Sequence, residues 1–390
     1  MPAVIPAPTR PVASSDRPAW LTPQNVLLLA VPAAAAVKFL GAGELWVFAA
    51  AGLAVVPLAG YMGKATGALA DRLGPAAGGL LNATFGNAAE LIIALALLAR
   101  GPRMFDTVKA TLTGSIVGNL LLVLGLAAAV GGARWRRQRF DRTRAGVGAT
   151  LLALAAAGLI VPTLFFLLYR PATGVADAAA RVANLSEEIA VVLLGIYGLS
   201  LVFTLRGSHP VPVAGPAGGA SAVRVEPHGP GWGVVTSLGV LLAATAGVAV
   251  MSEWLVHTVE TAGRQLGMNE VFVGVIVVAV IGNAAEHSTA VLMAWRNDME
   301  VAVGIAVGSS IQVALFVAPV LVFASLLMGH PRPLDLHFTP LEVAAVVLSV
   351  AVVALVCHDG ESNWLEGAML VSLYLILALA FYNLPAGTAG

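Results

Sequence analysis

Two acids, Glu90 and Glu286, each close the string Gly-Asn-Ala-Ala-Glu, which runs from Gly86 to Glu90 and again from Gly282 to Glu286, both times deep inside an apolar stretch. A carboxylate near the middle of a membrane helix is expensive unless it is paired, hydrated or ligated, so two in the same local context point to one ionic function. Asn87 and Asn283 precede the acids by three positions, which puts an amide and a carboxylate on one helix face. Gly86 and Gly282 open the motifs, and Gly followed by Asn is a weak helix interior. Carbonyls freed there can ligate an ion where they line a cavity. The expected site is therefore an oxygen cage built from Glu90, Glu286, Asn87, Asn283 and the backbone of Gly86 and Gly282. Oxygen ligands without clustered Cys or His suit a hard cation, and two flexible carboxylates suit calcium better than the small, tightly hydrated magnesium. With no cation bound, two facing acids repel across a poorly screened gap, so an empty site holds protons and the two ligands compete for the same oxygens. Competition at one site yields antiport if only loaded forms switch between inward-open and outward-open states.

Polar residues on the adjoining stretches could support such a cage. Ser115 and Asn119 follow the first acid; Ser309, Ser310 and Gln312 follow the second. They are either second-layer ligands or interhelical hydrogen-bonding groups. His287 follows Glu286, where Leu91 occupies the matching place in the first copy. It either titrates near neutral pH and senses pH for transport or sits as a neutral ring bonded to a carbonyl. Glu253, His257 and Glu260 share one face at i, i+4 and i+7, and read as a cation funnel or as a solvated helix end. Asp359 and Glu361 lie in a short loop facing water. Cys357, the one cysteine, reads as a small apolar helix residue.

The elements that must carry these residues follow from composition. At 58% hydrophobic and 11% charged residues, the chain is far from a soluble domain, where about 25% are charged. The net charge of zero suggests no nucleic-acid partner. The solvent is a lipid bilayer. The expected class is all-α and polytopic, with spans near 25–40, 44–62, 76–99, 106–131, 146–168, 187–205, 232–256, 270–294, 300–328, 339–357 and 364–383. The first apolar stretch is short and also fits a signal segment cut near Ala33 to Ala36. Residues 207–231, rich in Gly, Pro and Ser, read as a cytoplasmic linker. The organisation is then a tail and first helix over 1–43, a five-helix repeat over 44–206, the linker, and a second five-helix repeat over 232–390. Because five is odd, matching spans enter from opposite sides, giving the inverted repeats of secondary transporters with an ion site near the midplane. Arg134, Arg136, Arg137, Arg139, Arg142 and Arg144 crowd one short loop. The positive-inside rule puts that loop, and with it the N-terminus, in the cytoplasm and the C-terminus outside.

The runs GLLNATFGNAAELIIALALL from Gly79 and VFVGVIVVAVIGNAAEHSTA from Val271, with GSSIQVALFVAP from Gly308, closely resemble the paired repeats of the CAX family of calcium/proton antiporters. The resemblance covers nearly the whole chain from the second span onward. It implies an eleven-span bundle with inverted repeats, often a homotrimer, in which residues matching Glu90 and Glu286 bind calcium and carry protons and those matching Asn87 and Asn283 belong to the same site. It implies transported Ca2+ and H+, no cofactor, and a prokaryotic cytoplasmic (inner) membrane. Two departures stand out. Many relatives carry an Ala-Thr-Glu string where this chain has Ala65-Thr66-Gly67, and acids between the repeats where 207–231 holds only Glu226.

A sodium/calcium exchanger is the nearest rival reading, and would need further oxygen sites for sodium. A channel would need a repeated filter loop, and none is evident. An enzyme would need a nucleophile with its base or a metal triad, and neither His-Glu-x-x-His nor Gly-x-Ser-x-Gly occurs.

Overall fold

Long uncharged runs of Ala, Leu, Val and Gly fold as helices, because a backbone in hydrocarbon must satisfy its own N–H and C=O groups. Helices make up nearly all of residues 22–206 and 231–385, which this computed structural model describes. The tail and most of the expected linker, 207–230, lie outside the described residues. In chain order the helices are α1 (Gln24–Phe39), α2 (Glu44–Gly74), α3 (75–85), α4 (Ala88–Leu98), α5 (Pro102–Arg134), α6 (Arg142–Ala172), α7 (Val175–Thr204), α8 (Val234–Gln265), α9 (Glu270–Gly282), α10 (Ala284–Trp295), α11 (Met299–Leu327), α12 (Pro340–Val356) and α13 (Trp364–Tyr382). Among the described residues, seven are long and apolar enough to cross a membrane, and the bent pair α9 and α10 makes an eighth.

Several helices outrun their apolar stretches. Expected to end near 62, α2 continues to Gly74, and α7 begins at Val175 rather than near 187. The added turns hold Lys64, Asp71 and Arg72 in one case and Asp177 and Arg181 in the other, the last two paired at 3.3 Å. Charged helix ends are compatible with helical backbone once they leave hydrocarbon, so hydropathy alone places the boundary too early. Ala65-Thr66-Gly67 accordingly lies inside α2, with Thr66 buried, and not after the helix. Gly74, at φ 84°, reverses the chain. A Cβ added at Gly78 would stand 2.9 Å from that of Ala70, so α3 folds back along the last turns of α2.

The two helices that follow the repeated motif occupy the centre. About 72% of the apolar window of α5 and 67% of that of α11 is buried, against 22–33% for α6, α7, α8 and α13, which form the outer surface. α2 packs along α8. Glycines set the closest crossings, as expected where no hydrophobic force distinguishes helix from lipid. A Cβ at Gly114 in α5 would lie 2.0 Å from the carbonyl oxygen of Val275 in α9, and one at Gly274 would lie 2.6 Å from the Ala110 Cβ. Loop contacts sort the ends of the bundle. At one end β1 (Gln138–Arg139) pairs antiparallel with β2 (Glu361–Ser362), and Arg144 reaches Glu300 at 2.9 Å. At the other, Lys109 Nζ donates to Asp335 at 3.3 Å and to the His337 carbonyl at 2.8 Å.

The Gly114 crossing yields the first prediction. Gly114→Ala sets a methyl against backbone that no side-chain movement relieves; overpacking of that kind costs about 1–3 kcal/mol. The variant is expected to melt several degrees below the parent in detergent.

Candidate functional site

Both motifs break their helices at the asparagine. Asn87, at φ −110° and ψ 32°, separates α3 from α4, and Asn283, at φ −88° and ψ 4°, separates α9 from α10, which diverge by 61°. The third span expected over 76–99 is therefore two pieces. Glu90 and Glu286 are each the third residue of the new helix, in the first turn, where unsatisfied N–H groups and the helix dipole favour negative charge. Asn at such a position ordinarily caps its own helix. Here neither Asn makes a side-chain cap bond; the Asn283 amide donates back to the Ala279 carbonyl at 2.7 Å, and both side chains also reach across the bundle.

They reach crosswise. Asn87 Nδ2 donates to Gln312 Oε1 at 2.7 Å and to the Ser309 carbonyl at 3.4 Å, while Asn87 Oδ1 accepts from Ser309 Oγ at 2.7 Å. Asn283 Nδ2 donates to Ser115 Oγ at 3.0 Å, and Asn283 Oδ1 accepts from Asn119 Nδ2 at 3.0 Å. Each motif asparagine is thus held by the serine and the amide of the helix that follows the other motif. Ser309 Oγ also lies 2.8 Å from Glu286 Oε2 and so joins the two motifs directly. Glu90 lies over Gly282, whose added Cβ would be 3.4 Å from Glu90 Cγ, and the two carboxylates are near enough to interact electrostatically. Glu90, Glu286, Asn87 and Asn283 are 5%, 7%, 3% and 1% exposed, so whatever balances these charges must be supplied inside the protein. Glu286 Oε1 is buried without a hydrogen-bond partner, an acceptor left for a ligand.

Four of the five supporting residues, Ser115, Asn119, Ser309 and Gln312, meet the motifs. Ser310 does not: its hydroxyl donates back to Ala306 at 2.9 Å and lies 3.4 Å from the Ile116 carbonyl, because one residue along α11 turns it about 100° from Ser309. Gly86 closes the last turn of α3 with its amide on the Asn82 carbonyl at 2.8 Å. His287 Nε2 is buried with no partner, so a carbonyl-bonded ring is not formed through that nitrogen. The face of Glu253, His257 and Glu260 is no open funnel, because Glu253 pairs with Arg100, whose guanidinium also lies 3.5 Å from His257 Nδ1, and Glu260 lies 3.9 Å from Arg264. Sequence reading missed two features. Gly118–Val123, Val273–Val278 and Val313–Val317 are π-helical, and such turns cluster at functional sites. Lys109 is buried with Asp106 and Asp335 at 3.3 Å each, and Thr113 donates to the buried Glu342 at 3.3 Å. Lys109 among Thr107, Thr111 and Thr113 inside an apolar span was the available signal for the second.

Comparison with known proteins gives the family of the chain. The sodium/calcium exchanger protein family matches residues 43–206 and 236–383, two blocks that each contain one motif. The chain belongs to that family. Three relatives at 40–45% identity are named Ca(2+)/H(+) antiporters. The chain is 45% identical to the Ca(2+)/H(+) antiporter of Synechocystis over 92% of this chain and 97% of that one. It is 40% identical to the Ca(2+)/H(+) antiporter ChaA of Bacillus subtilis over 92% and 99%. The solved structure of native YfkE superposes with a TM-score of 0.76 at 38% identity, covering 93% of this chain and all of that one. The resemblance carried by the two GNAAE runs is thus shown along the whole family region. The chain is an integral membrane protein, and the proteins it resembles are named as transporters.

Two predictions follow from the site's hydrogen bonds. Asn283→Ala strands Ser115 and Asn119 in the interior, and an orphaned buried polar group costs about 1–3 kcal/mol. The variant is expected to melt several degrees below the parent in detergent, by the same estimate. His287 Nε2 makes no hydrogen bond to the motif acids, the asparagines or any other described residue. His287→Ala is expected to leave the pH profile of transport in place, and a displaced profile would assign His287 a pH-sensing role.

Proposed function

We propose that this protein is a secondary antiporter that exports cytoplasmic Ca2+ in exchange for H+ by alternating access, with both ligands competing for Glu90 and Glu286. The observation that carries this reading is the crosswise bonding of Asn87 and Asn283, which brings two buried acids from distant segments to one place. The identity to calcium/proton antiporters over 92% of the chain supports protons as the coupling ion rather than sodium. In this reading the chain comprises eleven spans, α3 with α4 and α9 with α10 each forming one broken span. Residues 44–206 and 232–390 form inverted repeats, with the arginine-rich end in the cytoplasm and the site near mid-membrane.

The hydrogen-bond geometry supports a proton-loaded state in the absence of calcium. Ser309 carries one hydroxyl hydrogen but lies within 2.8 Å of two acceptors, Asn87 Oδ1 and Glu286 Oε2. With Asn87 Oδ1 accepting from Ser309, a protonated Glu286 that donates to Ser309 satisfies both contacts at once. Calcium arriving at the carboxylates displaces that proton and turns the Ser309 hydroxyl toward a charged acceptor. Transport then needs no separate coupling device, since an empty site with two bare carboxylates is the species that burial disfavours most. Gln312, accepting from the Asn87 amide nitrogen, and Asn119, donating to the Asn283 amide oxygen, orient the two asparagines in the cage, and the half-helix N-termini of α4 and α10 balance the carboxylates.

Uptake of calcium into everted vesicles under an imposed pH gradient tests the reading. Uptake should require the proton gradient and proceed without sodium; uptake driven by sodium and indifferent to pH would sink it. Glu90→Gln and Glu286→Gln should each lower uptake by about a hundredfold or more, in line with ~3 kcal/mol or more for removing one partner of a buried charged set. Competition also fixes a sign. Lowering the pH should weaken calcium binding, by about tenfold per pH unit for each proton displaced, and either Gln variant should flatten that dependence.

A further inference from the structure

Six arginines lie in and beside the loop between α5 and α6, and five of them are engaged. The Arg134 guanidinium lies over the rings of Trp135 at 5.2 Å and Trp295 at 4.6 Å. Arg137 and Arg139 meet Glu361 at 3.5 and 3.1 Å, Arg142 lies 3.5 Å from His358 Nε2, and Arg144 holds Glu300. Arg136 engages no ion pair, hydrogen bond or ring among the described residues, and it lines a cleft of about 480 Å³ with Ala129, Gly132, Ala133, Trp364 and Ala368.

The walls of this cleft are the ends of α5 and α13. They touch where a Cβ on Gly132 would stand 2.2 Å from the Trp364 amide nitrogen, and Ala129, Ala133 and Ala368 line the cleft beside that contact. Trp364 is 56% exposed at the helix start, the position where indoles mark the level of lipid headgroups. The acid in the first turn of α13, Glu366, does not line the cleft; its amide donates to Asn363 Oδ1 at 3.2 Å and its Oε2 is buried without a hydrogen-bond partner, while Glu361 is neutralised by two arginines. The cleft therefore offers one uncommitted cation above a floor of methyl groups and an indole, and the arginines around it repel cations. A hydrated free anion gains nothing from such a floor, and a zwitterionic headgroup brings its own cation to a basic surface. Basic pockets between membrane helices on the arginine-rich side are suited to acidic lipid headgroups.

We propose that this cleft binds one anionic phospholipid, its phosphate on Arg136 and its glycerol and first methylenes on Ala129, Ala133 and Trp364. The test uses the delipidated full-length protein in detergent, titrated with phosphatidylglycerol, phosphatidylcholine or inorganic phosphate and followed by native mass spectrometry. One phosphatidylglycerol should bind more tightly than any that follow. Arg136→Gln should weaken that first molecule by about fivefold, the loss expected for one basic residue at a membrane surface. Ala133→Phe, which fills the floor and keeps every arginine, should do the same, while Arg136→Lys and Arg137→Gln should bind as the parent does. The proposal is overturned if Arg136→Gln binds phosphatidylglycerol as the parent does, or if phosphatidylcholine binds equally well, which would mean ordinary lipid contact. It is equally overturned if Ala133→Phe leaves binding intact, which would mean surface charge alone, or if inorganic phosphate displaces the lipid, which would mean a simple anion site.

Discussion

The crosswise exchange of amide hydrogen bonds is the constraint on which the rest depends. Asn87 is held by Ser309 and Gln312, and Asn283 by Ser115 and Asn119, so neither motif can form its half of the site without the helix that follows the other. Buried amides tolerate no loss of partner, because the interior offers no water to replace it. The exchange therefore fixes the register of α5 against α9 and α10, and of α11 against α4, more tightly than apolar contact could, since lipid is as good a neighbour as leucine. The backbone contact at Gly114 and Gly274 is the steric counterpart: it allows α5 and α9 to approach until Asn283 reaches Ser115.

The broken helices solve an electrostatic problem. An acid in the middle of a continuous membrane helix sees only apolar side chains and backbone dipoles already paired. Stopping the helix at Asn87 or Asn283 and restarting it at once puts the acid in a first turn, beside N–H groups with no intrahelical partner. Asparagine suits the break for two reasons: its backbone adopts the non-helical angles seen here, and its side chain, released from capping, ties the break to the other half. The π-helical stretches after Val117, Phe272 and Gln312 sit next to these polar contacts, where one extra residue per turn reorients the following side chains.

The ends of the bundle are organised by charge. Lys109 with Asp335 and Asp106 at one end, and the arginines of the α5–α6 loop with Glu361 and Glu300 at the other, tie α5 to loops far away in sequence. The exposed members of these pairs contribute little stability individually. Their consequence is positional, for they anchor both ends of the helix that carries Ser115 and Asn119. That commitment also leaves Arg136 as the one arginine of its loop facing an open cleft.

Much of this was legible in the residues. The doubled GNAAE string singled out the two acids and two amides that the fold brings together, because a carboxylate in an apolar run needs a reason and a repeat gives the same reason twice. Serine and amide residues at Ser115, Asn119, Ser309 and Gln312 stood out as polar groups in buried company, and the all-helical membrane class followed from composition. Sequence could not say which partner each would find. Ser310 reads as well as Ser309 in a string, and only the rotation of α11 sends one hydroxyl to Asn87 and Glu286 and the other back to its own backbone. Helix ends past the hydrocarbon, the reversal at Gly74 and the π-helical turns were equally closed to it, since each depends on what packs alongside. The sequence determined which groups must be satisfied inside the membrane; tertiary structure decided with whom, because a hydrogen bond between residues some two hundred positions apart is set by the relative rotation of two helices and not by the local chemistry of either.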